Sequence, residues 1–340
     1  MKKTLIALVF SLAAALPAQA QAQESVAEFY KGKTVRIVVG VGVGSGYDVN
    51  ARLLGRHIGK HIPGNPQVIV QNQPGAGSQA MTNQLYAAGP FDGTAIGATF
   101  NGLPTLPLLQ PGQARFDPVK INWVGSTNSE TQVTYVWHTV PIQKFDDIKT
   151  KETIIGAQAP GSTQYDYPVL SNALFGTKFK VITGYQATPK IHLAMESGEV
   201  HGTWANWSTL KAIASPWITE KKVRILVQWG RKHPEIASVP TIVEQAKTEA
   251  DRQALDLAMA RLEFGRPFMM PPGVPADRVN AIRRAFDATM KDKDFLAEAE
   301  KLKIEISPLT GERVGTLIAQ IYKTPEATVA RVRDAMAVKK

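Results

Sequence analysis

Near its start the chain twice runs an apolar strand into a glycine-rich loop that opens a helix. The first stretch is Val35-Arg-Ile-Val-Val-Gly-Val-Gly-Val-Gly-Ser-Gly-Tyr-Asp48, the second Gln67-Val-Ile-Val-Gln-Asn-Gln-Pro-Gly-Ala-Gly-Ser78. Glycine accepts the backbone angles of a concave nest and brings no side chain to block approach. At a helix start the unpaired amides and the dipole add an attraction for anions. A third copy, Ile154-Ile-Gly-Ala-Gln-Ala-Pro-Gly-Ser162, precedes a helix beginning near Thr163. Helix starts facing each other across a cleft would hold both ends of an elongated anion, a dicarboxylate for example, without an arginine.

Strand and helix patterns alternate along the chain, which argues an α/β fold. Strands are expected at Thr34 to Val39, Val68 to Val70, Thr94 to Ala98, Thr131 to Trp137, Thr153 to Gly156 and Val223 to Gln228. A helix over Asp48 to His61 carries Arg52, Arg56 and Lys60 on what reads as a solvated face, and Ser78 to Ala88 is the next helix. Val279, Ile282 and Phe286 mark one late apolar helix face. Val314, Leu317, Ile318 and Ile321 mark another at i, i+3, i+4, i+7, and Thr324-Pro325 forms an N-cap and N1 pair. The length suggests two domains, the smaller inside the larger: residues 25–128 with 232–340, and 129–231, joined by crossings near 129 and 231.

Lys2 and Lys3, the apolar run Leu5 to Leu16 and the small-residue sites Ala18-Gln-Ala20 and Ala20-Gln-Ala22 have the order of a secretory signal peptide over residues 1–22. The run is too short to span a bilayer. Export places the mature chain in the periplasm as a soluble protein. Zero cysteines exclude a disulfide framework and thiolate chemistry. Removing Lys2 and Lys3 turns 39 basic residues into 37 against 29 acidic ones, a net charge of +8. The basic residues are dispersed, so nucleic acid is not the expected partner.

Several catalytic motifs fail on inspection. No register of Gly40, Gly42, Gly44 and Gly46 satisfies G-x-G-x-x-G, because Ser45 or Tyr47 stands where the third glycine belongs. Val43 and Tyr47 break a nucleophile elbow at Ser45, and Ser208-Thr-Leu-Lys211 has no K-T-G companion. His57 and His61 have a metal-compatible spacing but no glutamate beside His57 and no third ligand in the pattern. Trp204 and Trp207 flank Asn206 in a loop-like stretch, Gly202-Thr-Trp-Ala-Asn-Trp-Ser208, suited equally to ligand contact and to core packing.

Across nearly the whole mature chain, these residues resemble the Bug/TctC family, the solute-binding proteins of tripartite tricarboxylate transporters. Asn72-Gln-Pro-Gly-Ala-Gly77 is similar to the family's asparagine-x-PGAG loop. Tyr30 to Val39 resembles its opening strand, Asp48-Val-Asn-Ala-Arg52 its first helix, and Pro90-Phe-Asp-Gly-Thr94 its lead into the third strand. Gly161-Ser162, Gly184-Tyr185, Gly198-Glu-Val200, Val239-Pro-Thr241 and Pro271-Pro-Gly-Val-Pro275 match further along. The resemblance implies a two-domain type II periplasmic-binding-protein fold with a ligand cleft between the domains. It implies no catalysis, no cofactor and no metal, and a monomer that captures an organic carboxylate for inner-membrane permease subunits.

In such proteins backbone amides and water from the first two loops hold a carboxylate, which here means Val43, Gly44, Ser45, Gly46 and Tyr47 with Gly75, Ala76, Gly77 and Ser78. Gly161, Ser162 and Thr163 supply the opposing loop, and Tyr165, Tyr185, Trp204 and Asn206 shape the cleft. Gly40, Val41 and Gly42 depart from the family's prolines and phenylalanine, Tyr165 from a common histidine, and Ala205 from an aspartate used for amines. The last departure leaves room for aromatic or longer aliphatic acids. An exported hydrolase or isomerase on the same scaffold, and a sensor feeding a membrane receptor, are the alternative functions.

Overall fold

A computed structural model describes residues 25–112 and 114–336; the leader expected over 1–22 lies outside them. Among the described residues the strands are β1 (Thr34–Val39), β2 (Gln67–Asn72), β3 (Ala95–Ala98), β4 (Asn122–Ser126) and β5 (Gln132–Trp137). They continue with β6 (Thr153–Gly156), β7 (Phe179–Ile182), β8 (Gly202–Asn206), β9 (Val223–Trp229), β10 (Pro267–Met270) and β11 (Leu309–Thr310). They form two sheets, ordered β11-β4-β10-β3-β1-β2 and β7-β6-β8-β5-β9.

In the first sheet β1 pairs in parallel with both β2 and β3, so Val39, Asn72 and Ala98 end at one level. The connecting helices Gly46–Ile58 and Gln79–Ala88 start from the loops beyond that level. In open α/β sheets this carboxyl edge is where ligands bind. Strand β10, arriving from far along the chain, inserts antiparallel between β3 and β4. All four residues of β3 and all four of β10 are buried, as the middle of a covered sheet requires.

In the second sheet β6 lies parallel to β7 and β8, while β5 runs antiparallel to β8 and β9. Strand β8 is central and all five of its residues are buried. That burial on both faces removes the alternation by which a strand is recognised, so the tryptophan stretch expected as a loop is strand β8 followed by the helix Trp207–Thr219. That helix kinks at Ala214, where φ is −143°, just before Pro216, which has no N–H to donate.

The chain leaves the first sheet after Ser126 and returns before Pro267, and the two passages are hydrogen-bonded side by side. Glu130 N donates to Leu262 O at 2.7 Å and Gly265 N to Asn128 O at 2.9 Å. Ile242, Leu255, Ala258 and Leu262 pack into the core of the second sheet. The last helix, Glu326–Met336, touches both Thr163–Phe175 and Glu249–Met259.

The predicted apolar faces are inside: Val279, Ile282 and Phe286 in one core cluster, Val314, Ile318 and Ile321 in another, with Leu317 half-buried at its edge. The stripe read as solvated is partly exposed, as expected, and also forms an ion-pair seam. Arg52 meets Asp48 at 3.0 Å, Arg56 meets Glu298 at 2.7 Å and Lys60 meets Asp292 at 2.7 Å. His57 and His61 join it, 2.6 Å from Glu298 and 2.8 Å from Asp292.

Candidate functional site

Between the two sheets lies a cavity of about 40 Å³, lined from three directions. Ser45, Gly46, Tyr47 and Phe100 come from the first half. Gln132, Gln158, Ser162, Thr163, Gln164 and Thr188 come from the second, with Trp204, Ala205 and Asn206 from β8 and Thr209 from the helix after it. Arg266 enters from the passage into β10. About 10–15 Å³ of such space holds one water. The volume therefore suits a few small groups.

Three helices of 13 residues each begin at this cavity: Gly46–Ile58 behind Ser45, Thr163–Phe175 behind Ser162, and Trp207–Thr219 behind Asn206. Each start carries partial positive charge, roughly half an elementary charge, and amides without intrahelical acceptors. Ser45 Oγ accepts from Asp48 N at 3.2 Å and Asn206 Oδ1 accepts from Ser208 N at 2.9 Å, so the first turns are fixed. The next requirement is that the loops before them hold still. Gly44 N donates to Asp48 Oδ2 at 2.9 Å, and Gly161 N donates to Asp166 Oδ1 at 3.0 Å. The glycine amides of both nests are thus turned onto the protein's own aspartates.

Arg266 is 5% exposed, although an arginine is rarely buried unless paired. Its guanidinium lies 4.2 Å from the Tyr47 ring centroid, Nη2 donates to Thr209 Oγ1 at 3.2 Å and Nη1 donates to Gly265 O at 3.2 Å. Nη1 also meets the carboxylate of Glu130, itself buried and bonded by Gln132 Nε2 and, at 3.3 Å, by Asn101 Nδ2. Burial lowers the pKa of Arg266, and the facing Tyr47 opposes the shift. An arginine so placed is still a cation at neutral pH.

Four buried polar atoms of the lining residues have no partner within the protein: Trp204 Nε1, Asn206 Nδ2, Arg266 Nε and Gln164 Oε1. Three are donors. Unsatisfied buried polar groups are costly, so their concentration among the lining residues makes this cavity the candidate site.

Of the expected site residues, Ser45, Gly46, Tyr47, Ser162, Thr163, Trp204 and Asn206 meet at the cavity. Gly44 and Gly161 stand just behind it, and Val43 points to solvent at 67% exposure. The loop Gly75, Ala76, Gly77 and Ser78 is outside the lining. Ser78 Oγ accepts from Phe100 N at 3.1 Å, and a Cβ on Gly77 would stand 2.5 Å from Pro160 O of the other half, so this loop is a contact between halves. Tyr165 is half-buried on its helix, away from the lining, with its pKa raised by burial. Tyr185 lies in an outer depression with Gln186 and Lys190. There burial and the hydrogen bond to Glu199 push its pKa to about 12.

An arginine, Arg266, lines the cavity, where the sequence was read as needing none. That residue, with Gln132, Gln158, Gln164, Thr188 and Thr209, was not singled out in the sequence. A signal existed for Arg266 alone: it is a lone charge abutting the apolar strand Pro267-Phe-Met-Met270.

No protein-family model matches the chain. A Cupriavidus necator protein named "UPF0065 protein in gbd 5'region" is 25% identical over 338 residues, covering 94% of this chain and 92% of its own. The periplasmic binding protein BugD superposes with a TM-score of 0.71 at 19% identity, covering 90% of this chain and 98% of its own. The chain resembles the Bug/TctC family over nearly its whole length. MatC from Rhodopseudomonas palustris, solved with bound malate, superposes with a TM-score of 0.69 at 18% identity, covering 90% of this chain and 99% of its own. The fold is the two-domain α/β architecture of these Bug/TctC-type binding proteins, with the cleft between the two sheets.

Proposed function

We propose that the protein is an exported solute-binding protein that captures a small organic carboxylate and delivers it to inner-membrane permease subunits as a monomer. The observation that carries this reading is the convergence of three helix N-termini on one cavity with three unpartnered buried donors. Such a field stabilises negative charge. Malate in MatC supports a diacid of a few carbons, and the basic, apolar, small-residue order of residues 1–22 supports export to the periplasm.

The two moving units are residues 25–128 with 232–340, and 129–231, with the segment around Leu255 and Leu262 riding on the second. Closure traps the ligand, because contacts made only in the closed state select that state. The lining carries hydroxyls and amides but no histidine, aspartate or glutamate, which favours binding and release over chemistry.

A thermal-shift screen of dicarboxylates, tricarboxylates and aromatic acids, followed by calorimetry, tests the reading. A saturable rise in melting temperature with at least one acid, without turnover, is expected. Turnover of a bound acid, or no response to any, overturns it.

A further inference from the structure

The two ends of the Arg266 side chain are treated differently by the fold. Nη1 is ion-paired with Glu130 and donates to Gly265 O. On the other edge Nε has no partner and Nη2 holds only the hydroxyl of Thr209, with the Tyr47 ring against the guanidinium. In a planar guanidinium, Nε–H and the outer Nη2–H point the same way, spaced to match the two oxygens of a carboxylate. That edge faces lining residues, since a Cβ built on Gly46 would stand 2.9 Å from Arg266 Nη2 and 2.9 Å from Thr209 Oγ1. Glycine there lets the first loop pack closely against the edge without a side-chain clash.

Glu130 holds the opposite end in a position it would keep without Arg266, because Gln132 and Asn101 both donate to its carboxylate. The pair is internally neutral. A carboxylate added to the free edge therefore brings net negative charge, which the three helix starts are placed to offset.

Resting on the carboxylate-binding reading above, we infer that the Nε–Nη2 edge of Arg266 is the fork that receives a ligand carboxylate side-on. Thr209 Oγ1 holds the place of one ligand oxygen, and Glu130 sets the orientation and the charge of the fork. Glu130 is a positioning residue. The fork distinguishes an acid from its amide, because an amide nitrogen would turn N–H against N–H.

The test compares the full mature chain with its Glu130→Gln and Arg266→Lys variants. Each is titrated with L-malate, succinate, citrate and benzoate, and with the monoamide of whichever acid binds. Glu130→Gln leaves a buried cation that only the ligand can pair, so its ligand-free melting temperature falls while its ligand-induced shift exceeds that of the wild type. Arg266→Lys keeps the charge but loses the fork, and its affinity falls at least about tenfold. The monoamide binds at least about tenfold more weakly than the acid. A wild type that binds an acid while Glu130→Gln shows no larger shift overturns the fork alone, and keeps the Glu130 readout decisive even if Arg266→Lys does not fold. A wild type indifferent to every acid overturns the fork and the carboxylate reading together.

Discussion

Asp166 and Arg261 meet at 2.6 Å with 4% of each side chain exposed, one on the helix Thr163–Phe175 and the other on the segment Ala260–Phe264. Both also hold the peptide of Gly161, whose N–H donates to Asp166 and whose carbonyl accepts from Arg261 Nη1 at 3.3 Å. Burial alone would lower the pKa of Arg261, but the field of Asp166 overcomes it and the net shift is upward. Removing one partner strands the other in a dry site. Asp166→Asn is expected to cost about 3–5 kcal/mol in urea unfolding, and Asp166→Asn with Arg261→Met to recover most of it. A single variant within about 1 kcal/mol of wild type would show that the pair is not a structural tie.

Closure has its own test at Gly42, which lacks the positive φ that would strain a side chain there. A Cβ on Gly42 meets Gln186 O of the other half at 2.8 Å, and no other residue comes within 3.4 Å. Gly42→Val therefore obstructs the closed state and leaves each half intact. Ligand affinity is expected to fall by about tenfold or more, with an enlarged radius of gyration in solution scattering and an unchanged ligand-free melting temperature. Wild-type affinity in this variant would separate binding from closure.

What the sequence disclosed follows from what is local. Strands Thr34–Val39 and Thr153–Gly156 were legible to the residue: Gly32 and Gly40 bound the first apolar run, and the charged pair Lys151-Glu152 precedes the second. The capture of Gly44 by Asp48 and of Gly161 by Asp166 spans four and five residues, and was legible in principle as a glycine preceding an aspartate in a first helical turn. Arg266, Thr209 and Glu130 were not. They meet because β10 inserts between β3 and β4, a pairing across more than a hundred residues that no periodicity encodes. Strand β8 was misread for a related reason, since a strand covered on both faces shows no alternation.

His192, 6% exposed, sits 2.8 Å from Tyr135 Oη and 4.4 Å from the centroid of the Trp217 ring, and burial lowers its pKa to about 4. In the unfolded chain it titrates near 6.5. Above pH 6.5 neither state is protonated and the group costs nothing. As pH falls from about 6.5 to 4 the unfolded state binds a proton that the folded state refuses, so stability is lost, by about 3 kcal/mol in total, and the loss levels off below pH 4. His192→Gln keeps a hydrogen-bonding group beside Tyr135 and removes this titration. The difference in unfolding free energy between wild type and variant should shift by about 3 kcal/mol between pH 7 and pH 4. A pH-independent difference would contradict the burial argument.

Asn206 offers a sign test of the cavity's field. Its Oδ1 accepts from Ser208 N and Oγ, both at 2.9 Å, capping the helix Trp207–Thr219, while Nδ2 is buried without a partner. Asn206→Asp preserves the cap, since asparagine and aspartate cap equally well, and three helix starts stabilise the added charge. The ligand-free protein should therefore melt within about 3 °C of wild type or higher. The same charge repels an anion and replaces a donor with an acceptor, so carboxylate affinity by calorimetry should fall at least about tenfold. Retained carboxylate affinity together with unchanged stability would mean that Asn206 Nδ2 does not face the bound ligand. The anion would then have to sit nearer Ser45 and Ser162, where the other two helices begin.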